Sequence, residues 1–409
     1  MSTTDTASGP GVTSDSDSVH SPVRAWVGVA MLALSLFSFV TTELMPIGLL
    51  PDIAAGVDVS VGRAGFLVTG FAFVVGLLAT PMTVLTGGLN RRLLVALLLL
   101  ACSVGNAITA LAGNYGLLLL GRVVIALAIG VFWSIGAATA VRMAGQKHAV
   151  RATSIVIGGL SIASVLGVPL GTLLGEQAGW RVTFSALSAL SLVTLVIALF
   201  AIPSLPAVRA GSGLRGLGRV LARPGIRAAV LVTALVMTGS FLAYTYINPF
   251  LTDVTGVPQS VIGWLLIVYG GAGLIGNFTI APFLHRNLRN TVVGVVTILG
   301  LSLVVLWIFG TAVAVVIPML VVWGYAYASL PVVLQTWVFR EAADTGETDA
   351  ATSLYVSAYN IAIGIGALLG GFLVDAAHPA ATMIAGAVFV AAAVVVALVS
   401  RRRETATRS

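Results

Sequence analysis

Twelve apolar runs, divided by short polar connections, leave this chain few ways to fold. About 20 apolar residues in a helix cross the hydrocarbon of a bilayer. The runs fall at 25–50, 61–86, 93–113, 115–141, 151–175, 182–203, 226–251, 260–284, 291–310, 312–338, 350–374 and 380–400. Lipid offers backbone groups no partners, so each run must satisfy its own as a helix. The expected class is therefore an all-α membrane protein. Composition agrees, with 58% hydrophobic and 9% charged residues, far below the quarter or so charged in soluble domains. The net charge of +7 sits in connections and is not interleaved with aromatic residues. A nucleic-acid partner is not expected.

The basic residues set direction, because cytoplasmic connections retain Lys and Arg. With an inside N-terminus, only Arg63 and Arg181 fall outside, and Arg122 falls within a run. Both termini are therefore expected in the cytoplasm. Residues 1–23, rich in Ser, Thr, Asp and Gly, read as a disordered cytoplasmic tail rather than a secretory signal. Residues 24–203 read as one six-helix bundle, 204–225 as a cytoplasmic linker, 226–400 as a second bundle and 401–409 as a tail. The halves echo each other: Pro81 ends run 2 as Pro282 ends run 8, and Gly167, Gly171 and Gly175 of run 5 answer Gly364, Gly366, Gly370 and Gly371 of run 11. Repeats of this kind underlie alternating access in a large class of transporters.

Glu43 is the one acid well inside a run. A charge there costs several kcal/mol, so it must face a partner or a cavity. At about 1.5 Å per residue, Glu43 and Arg122 reach similar depths in the outer half of the membrane. Two readings stand: a proton carrier whose affinity changes with exposure and with the distance to Arg122, or a structural pair near the outer mouth. Arg122 keeps its proton and would tune the field, anchor substrate or simply pair. Pro46 frees a carbonyl one turn earlier, beside the acid, or merely bends the helix. Gly167, Pro169 and Gly171 form a stretch suited to a gating joint between halves or to ordinary close packing.

The second half offers neutral polar groups instead: Tyr244, Tyr246, Asn248, Asn277, Tyr325, Tyr327, Gln335, Tyr355, Tyr359 and Asn360. With Phe132 and Trp133 as an aromatic wall, they read as a polar cavity or as glue between helices. Cys102 is the one cysteine, and His20, His148, His285 and His378 lack metal-ligand spacing. No cofactor or metal is expected. An enzyme is also not expected, for want of paired acids or an oriented nucleophile and base; nor is there a phosphate loop.

Thr41-Thr42-Glu43 through Pro51, Arg91-Arg92, Gly121-Arg122, Phe132-Trp133-Ser134, Leu166 through Gly171, Gly179-Trp180-Arg181, Ala243 through Phe250 and Tyr359-Asn360-Ile361 together resemble the major facilitator superfamily. Within it the chain resembles the twelve-span drug:proton antiporters, and among these the bacterial sugar-efflux branch. The resemblance spans roughly residues 24–402. It implies twelve transmembrane helices in two pseudo-symmetric six-helix bundles, in the bacterial cytoplasmic membrane, in a protein expected to be monomeric. It implies export of an arabinose-like sugar or galactoside against protons. Relatives of that branch export nucleosides, chloramphenicol-like drugs or other amphiphiles, and uptake by symport is a third option. Glu43 and Arg122 match its proton-coupling residues, and Gly167, Pro169 and Gly171 its antiporter motif. Arg91 and Arg92 match the basic end of its loop motif, but Gly87 stands where an aspartate is usual and Asn90 where a glycine is. Asn248 stands where the branch often has an acid.

Overall fold

The computed structural model describes residues 22–206, 217–342 and 348–408. The expected tail over residues 1–21 and much of the linker lie outside these. Twelve helices are long and apolar enough to cross a membrane: Val23–Gly48, Val61–Ala79, Arg91–Leu111, Tyr115–Ala144, Arg151–Ala178, Trp180–Ala201, Pro224–Tyr244, Gln259–Thr279, Arg286–Phe309, Val313–Ala342, Leu354–Ala376 and Ala380–Ser400. They are numbered here as spans 1 to 12. Span 1 starts at what is called the proximal end; odd spans run away from it and even spans return.

Several boundaries move for local reasons. Span 1 stops at Gly48, and a short helix, Leu50–Gly56, follows with Pro51 in its first turn, where a missing N–H costs nothing. Span 7 stops at Tyr244 rather than 251; a short Ile247–Pro249 turn and a π-turn, Phe250–Val254, follow. Span 5 carries a π-turn at Ala163–Gly167, immediately ahead of Pro169, a common device where a regular helix is interrupted. The helix containing span 9 begins at Ala281 and bends at Asn287, whose φ is −159° and ψ 94°. A helix over Leu217–Ala222 occupies the end of the linker, and the last helix continues to Arg408 beyond the expected limit of 400.

Spans 1–6 pack chiefly on one another, and so do spans 7–12; the halves meet along spans 2 and 11 and along spans 5 and 8. Small residues make these seams close. Gly62 lies against Gly371, Gly76 against Ile361, Gly263 against Leu173 and Gly270 against Ser164 and Val165. Lipid gives helices no hydrophobic drive to associate, so such close backbone approach supplies the packing. The seams are tightest toward the distal end. Toward the proximal end, spans 5 and 8 part around a cavity of about 510 Å³ lined by residues that include Thr153, Ser154, Ile157, Ser161, Asn277 and Phe278.

Candidate functional site

Pro46 has no N–H to give the carbonyl of Thr42, four residues earlier. Arg122 of span 4 takes that place. Its Nη1 donates to Thr42 O at 2.6 Å, its Nη2 to Glu43 O at 2.7 Å and its Nε to Leu67 O of span 2 at 3.1 Å. The Phe71 ring lies 4.2 Å from the guanidinium carbon. The side chain is buried at 1% exposure. A planar fork of donors suits three divergent acceptors as an ammonium would not. Beside it, Asn106 of span 3 donates to Thr42 Oγ1 at 3.1 Å and Ser191 to Cys102 Sγ at 3.4 Å.

The expected pairing of Glu43 with Arg122 therefore takes a different form. The guanidinium holds the Glu43 backbone, and its charge acts on the carboxylate from farther away. Among the described residues, no hydrogen bond or ion pair within 4 Å engages the Glu43 carboxylate, and the side chain is partly accessible. Across the seam it lies within electrostatic reach of Tyr327 on span 10 and Tyr359 on span 11. Its neighbour Leu44 packs on both large hydrophobic clusters, the one built mainly from spans 7–12 and the one built from the first half. The acid thus points from the first half toward a ring-lined region of the second.

That region is an aromatic cluster. Tyr244 stacks on Tyr269 at 5.1 Å and on Tyr327 at 5.4 Å, and Trp323 meets Tyr244 and Tyr269 edge-on at 6.1 and 5.5 Å. Tyr359, whose ring lies 5.8 Å from Tyr355, is within electrostatic reach of Tyr327. Tyr269 Oη and Trp323 Nε1 are buried and, among the described residues, unpartnered. Tyr269 and Trp323 were not singled out from the sequence. Their signal was an aromatic residue in each of two apolar runs, but nothing local says that the two meet.

The other expected substrate residues scatter. Phe132 is buried against Phe39, with centroids 5.2 Å apart, inside the first half. Trp133 is 45% exposed, with no ring contact to the cluster. Asn277 lines the proximal cavity. Tyr325 hydrogen-bonds Thr279 at 2.9 Å, and Gln335 lies partly exposed, eight residues and so roughly 12 Å along span 10 from Tyr327. Asn360 donates to Val356 O of its own helix at 3.0 Å, and its Cβ lies at Gly76 on the seam with span 2. Asn248 is fully buried at the distal seam and donates to Gly48 O at 2.5 Å, which a carboxylate in its place could not do.

The glycines of span 5 face inward within their own half. A Cβ at Gly167 or Gly171 would strike Thr41 or Met45 of span 1, and one at Gly175 would strike Leu49 just beyond it. Both rows advance by four residues, a ridge fitting a groove. Of the expected joint, Gly167 and Gly171 thus pack within their own half, whereas the Pro169 carbonyl, with Leu173, meets Gly263 of span 8. At the proximal end Arg91 is buried and its backbone N–H donates to Leu205 O at 3.1 Å. Asn90 caps span 3 by accepting from the Arg92 N–H at 2.9 Å and bonds Ser204 at 2.6 Å.

The Major Facilitator Superfamily family model matches residues 32–346 and 229–409. A Pseudomonas aeruginosa (strain PAO1) protein called "Transcription regulatory protein OpdE" is 35% identical over 387 residues, covering 92% of this chain and 94% of that one. A bacterial homologue to the human lysosomal transporter Spinster, inward-facing and occupied, superposes with a TM-score of 0.75 at 17% identity, covering 94% of this chain and 98% of that chain. A mutant of the nucleoside transporter NupG gives 0.76 at 14% identity, covering 91% and 99%. At these identities the two structures speak for the fold alone.

Proposed function

Because the chain belongs to the major facilitator superfamily, a family of secondary transporters, we propose that it exports a small neutral solute, sugar-like in its hydroxyls, in exchange for protons by alternating access. In this reading it works in the bacterial cytoplasmic membrane with both termini inside, as a monomer, and belongs with the drug:proton antiporters, in their sugar-efflux branch.

One observation carries the proposal. Glu43 keeps an unengaged carboxylate among the described residues, while the nearest cation, Arg122, is locked onto main-chain carbonyls. An acid bonded tightly to a cation would give up its proton for good; one held at a distance can take and release it as its exposure changes. Intramembrane acids of this kind are functional by default. Facing it, the unpartnered Tyr269 hydroxyl and Trp323 N–H call for hydrogen bonds, and a solute with hydroxyl groups and an apolar ring face supplies both. Solute and proton then compete: hydroxyls of a solute in the tyrosine cluster donate to the ionised Glu43 carboxylate and favour its charged form, and protonation of Glu43 weakens that acceptor.

Reconstitution into liposomes with an imposed proton gradient tests this. The wild type drives arabinose or galactoside against its own gradient, and Glu43→Gln retains downhill exchange alone. Gradient-driven accumulation by Glu43→Gln would remove the acid from the coupling step.

A second reading, efflux of drugs or nucleosides by the same machinery, is favoured by the stacked rings of Tyr244, Tyr269 and Tyr327, since flat aromatic ligands stack on such faces. A panel containing both solute classes separates the two. Uptake by symport would show in the sidedness of flux in vesicles.

A further inference from the structure

The cavity at the proximal end, between spans 5 and 8, has walls that offer hydrogen bonds to a guest. Hydroxyls within the spans commonly bond a carbonyl one turn earlier in their own helix, as Ser164 does to Leu160 O at 3.0 Å, Thr172 to Val168 O at 2.9 Å and Thr279 to Ile275 O at 2.8 Å. Thr153, Ser154 and Ser161 of span 5 do not. Neither they nor the Asn277 amide of span 8 makes a side-chain hydrogen bond among the described residues, and all four line the cavity. Thr153 and Ser161 stand eight residues apart and Ser154 beside the first, so one face of span 5 carries the hydroxyls over roughly 12 Å. Exposed Ile157 and Phe278 add apolar surface, and none of the described lining residues is charged. The cleft closes one turn farther in, where Gly270 of span 8 meets Ser164 and Val165. The residue beside that glycine is Tyr269 of the aromatic cluster, and Asn277 lies eight residues, roughly 12 Å, nearer the proximal end.

We propose that this cavity is a second solute site, a vestibule that holds the neutral, hydroxyl-rich solute before it reaches the tyrosine cluster. Its volume of about 510 Å³ falls within the roughly 300–1,000 Å³ of small-molecule pockets. Three hydroxyls and an amide both donate and accept, which suits a guest whose own hydroxyls do the same. The Phe278 ring offers a face to the C–H side of a sugar ring. A charged solute would lose hydration here without a counter-charge, and a lipid tail would leave all four polar groups without partners. Asn277, set apart from the cluster by the fold, thereby regains a part in solute binding. The inference rests on the solute class proposed above and adds where that solute is first held.

Gly158 lies in the cavity wall with nothing within 4 Å of where a Cβ would stand, so Gly158→Cys places a thiol there without a clash. The sole native cysteine, Cys102, is buried, and the wild type gives the background. The rate at which a maleimide alkylates Gly158→Cys in detergent is followed at rising concentrations of arabinose or methyl galactoside. Saturable slowing is expected. Adding Asn277→Leu should raise the half-protecting concentration about tenfold and adding Ser154→Ala about threefold, the worth of one or two hydrogen bonds; the serine variant serves where the other does not fold. Adding Tyr269→Phe should leave that concentration unchanged. Protection that follows Tyr269 and ignores Asn277 and Ser154 would mean that solute shields the thiol from the cluster, and would overturn the vestibule. Alkylation indifferent to sugar, with calorimetry still showing binding that Tyr269→Phe weakens, would also overturn it and leave the proposed function standing. Absence of both protection and binding would sink the solute class and the vestibule together. Slower alkylation in lipid nanodiscs than in detergent, with no response to sugar, would assign the cleft to a lipid tail instead.

Discussion

Spans 1–6 hold the ionisable groups that a bilayer makes costly, Glu43 and Arg122, whereas spans 7–12 face them with neutral rings, Tyr244, Tyr269, Tyr327 and Trp323. The first half spends its polar contacts on itself: Arg122 fastens spans 1, 2 and 4 together through three carbonyls. Both halves leave buried hydroxyls unpartnered among the described residues, Ser38, Thr41 and Thr69 in the first, but only the second adds an aromatic pair, Tyr269 Oη and Trp323 Nε1. The contrast separates two tasks, holding a titratable group in a fixed frame and offering a polar, adaptable face to a solute. Two helix bundles of similar shape thus carry different chemistry.

The sharpest way to break this comparison is to remove the fastener. Arg122→Ala leaves three buried carbonyls without their donor and is expected to cost roughly 3–5 kcal/mol, with transport abolished. Arg122→Lys is expected to recover little, because an ammonium cannot span three divergent acceptors. Thermal unfolding in detergent and solute flux in liposomes read the two effects. A wild-type unfolding midpoint for Arg122→Ala would mean the frame is held by something else.

Glycine substitutions compare the halves directly. Gly171→Ala pushes a methyl into Met45 and is expected to destabilise by about 1–3 kcal/mol. Gly271→Ala on span 8 meets nothing within 4 Å and is expected to be neutral or to stabilise by up to about 1 kcal/mol through helix propensity. Equal effects in the same unfolding assay would deny span 5 its ridge-in-groove fit.

Tyr269→Phe sharpens the other side. It removes a buried hydroxyl without a partner among the described residues, so stability is expected to hold or to rise by about 1 kcal/mol, while solute affinity falls about tenfold. Calorimetry on the purified protein gives the affinity. Unchanged affinity would take the hydroxyl out of the solute site.

The smallest effect lies outside the spans. Burial pushes the carboxyl of half-buried Asp52, in the short helix after span 1, above its ordinary range. The folded protein therefore holds that proton more tightly than the unfolded chain does. The resulting stabilisation is complete below the ordinary carboxylate value of about 4 and disappears as pH rises through the raised one. Asp52→Asn is expected to gain a few tenths of a kcal/mol at pH 7, a small figure because the group is partly solvated, and nothing at pH 3. Unfolding midpoints at the two pH values test the sign.

Much of this was legible in the sequence, because lipid reduces folding to a few rules. Run length fixed the spans, and the pair of Pro46 and Glu43 announced a freed carbonyl beside an acid. That Arg122 would claim the carbonyl rather than the carboxylate was not legible, since depth along a helix says nothing of which way a long side chain turns. The spacing of Gly167, Gly171 and Gly175 gave a glycine face but not its partner, which proved to be Thr41, Met45 and Leu49. Asn248 looked like a cavity residue; it instead touches the opposite half at Gly48, as Asp375 does at Gly62. Contacts between residues 200 or more positions apart leave no mark in local periodicity. Of the aromatic cluster, Tyr244, Tyr327, Tyr355 and Tyr359 stood among the cavity candidates, whereas Tyr269 and Trp323, which stack or meet edge-on with Tyr244, escaped because nothing local brings distant runs together.

The account turns on Glu43 exchanging its proton when solute enters the facing cluster. Purified protein in weakly buffered detergent, mixed with a solute shown to bind and followed with a pH indicator, measures that exchange directly. The wild type should release up to about one proton per molecule, the expectation for a single carboxyl whose ionised form accepts hydrogen bonds from the solute, and Glu43→Gln should bind the solute and release none. Equal release from both would contradict the account and assign the proton to another group.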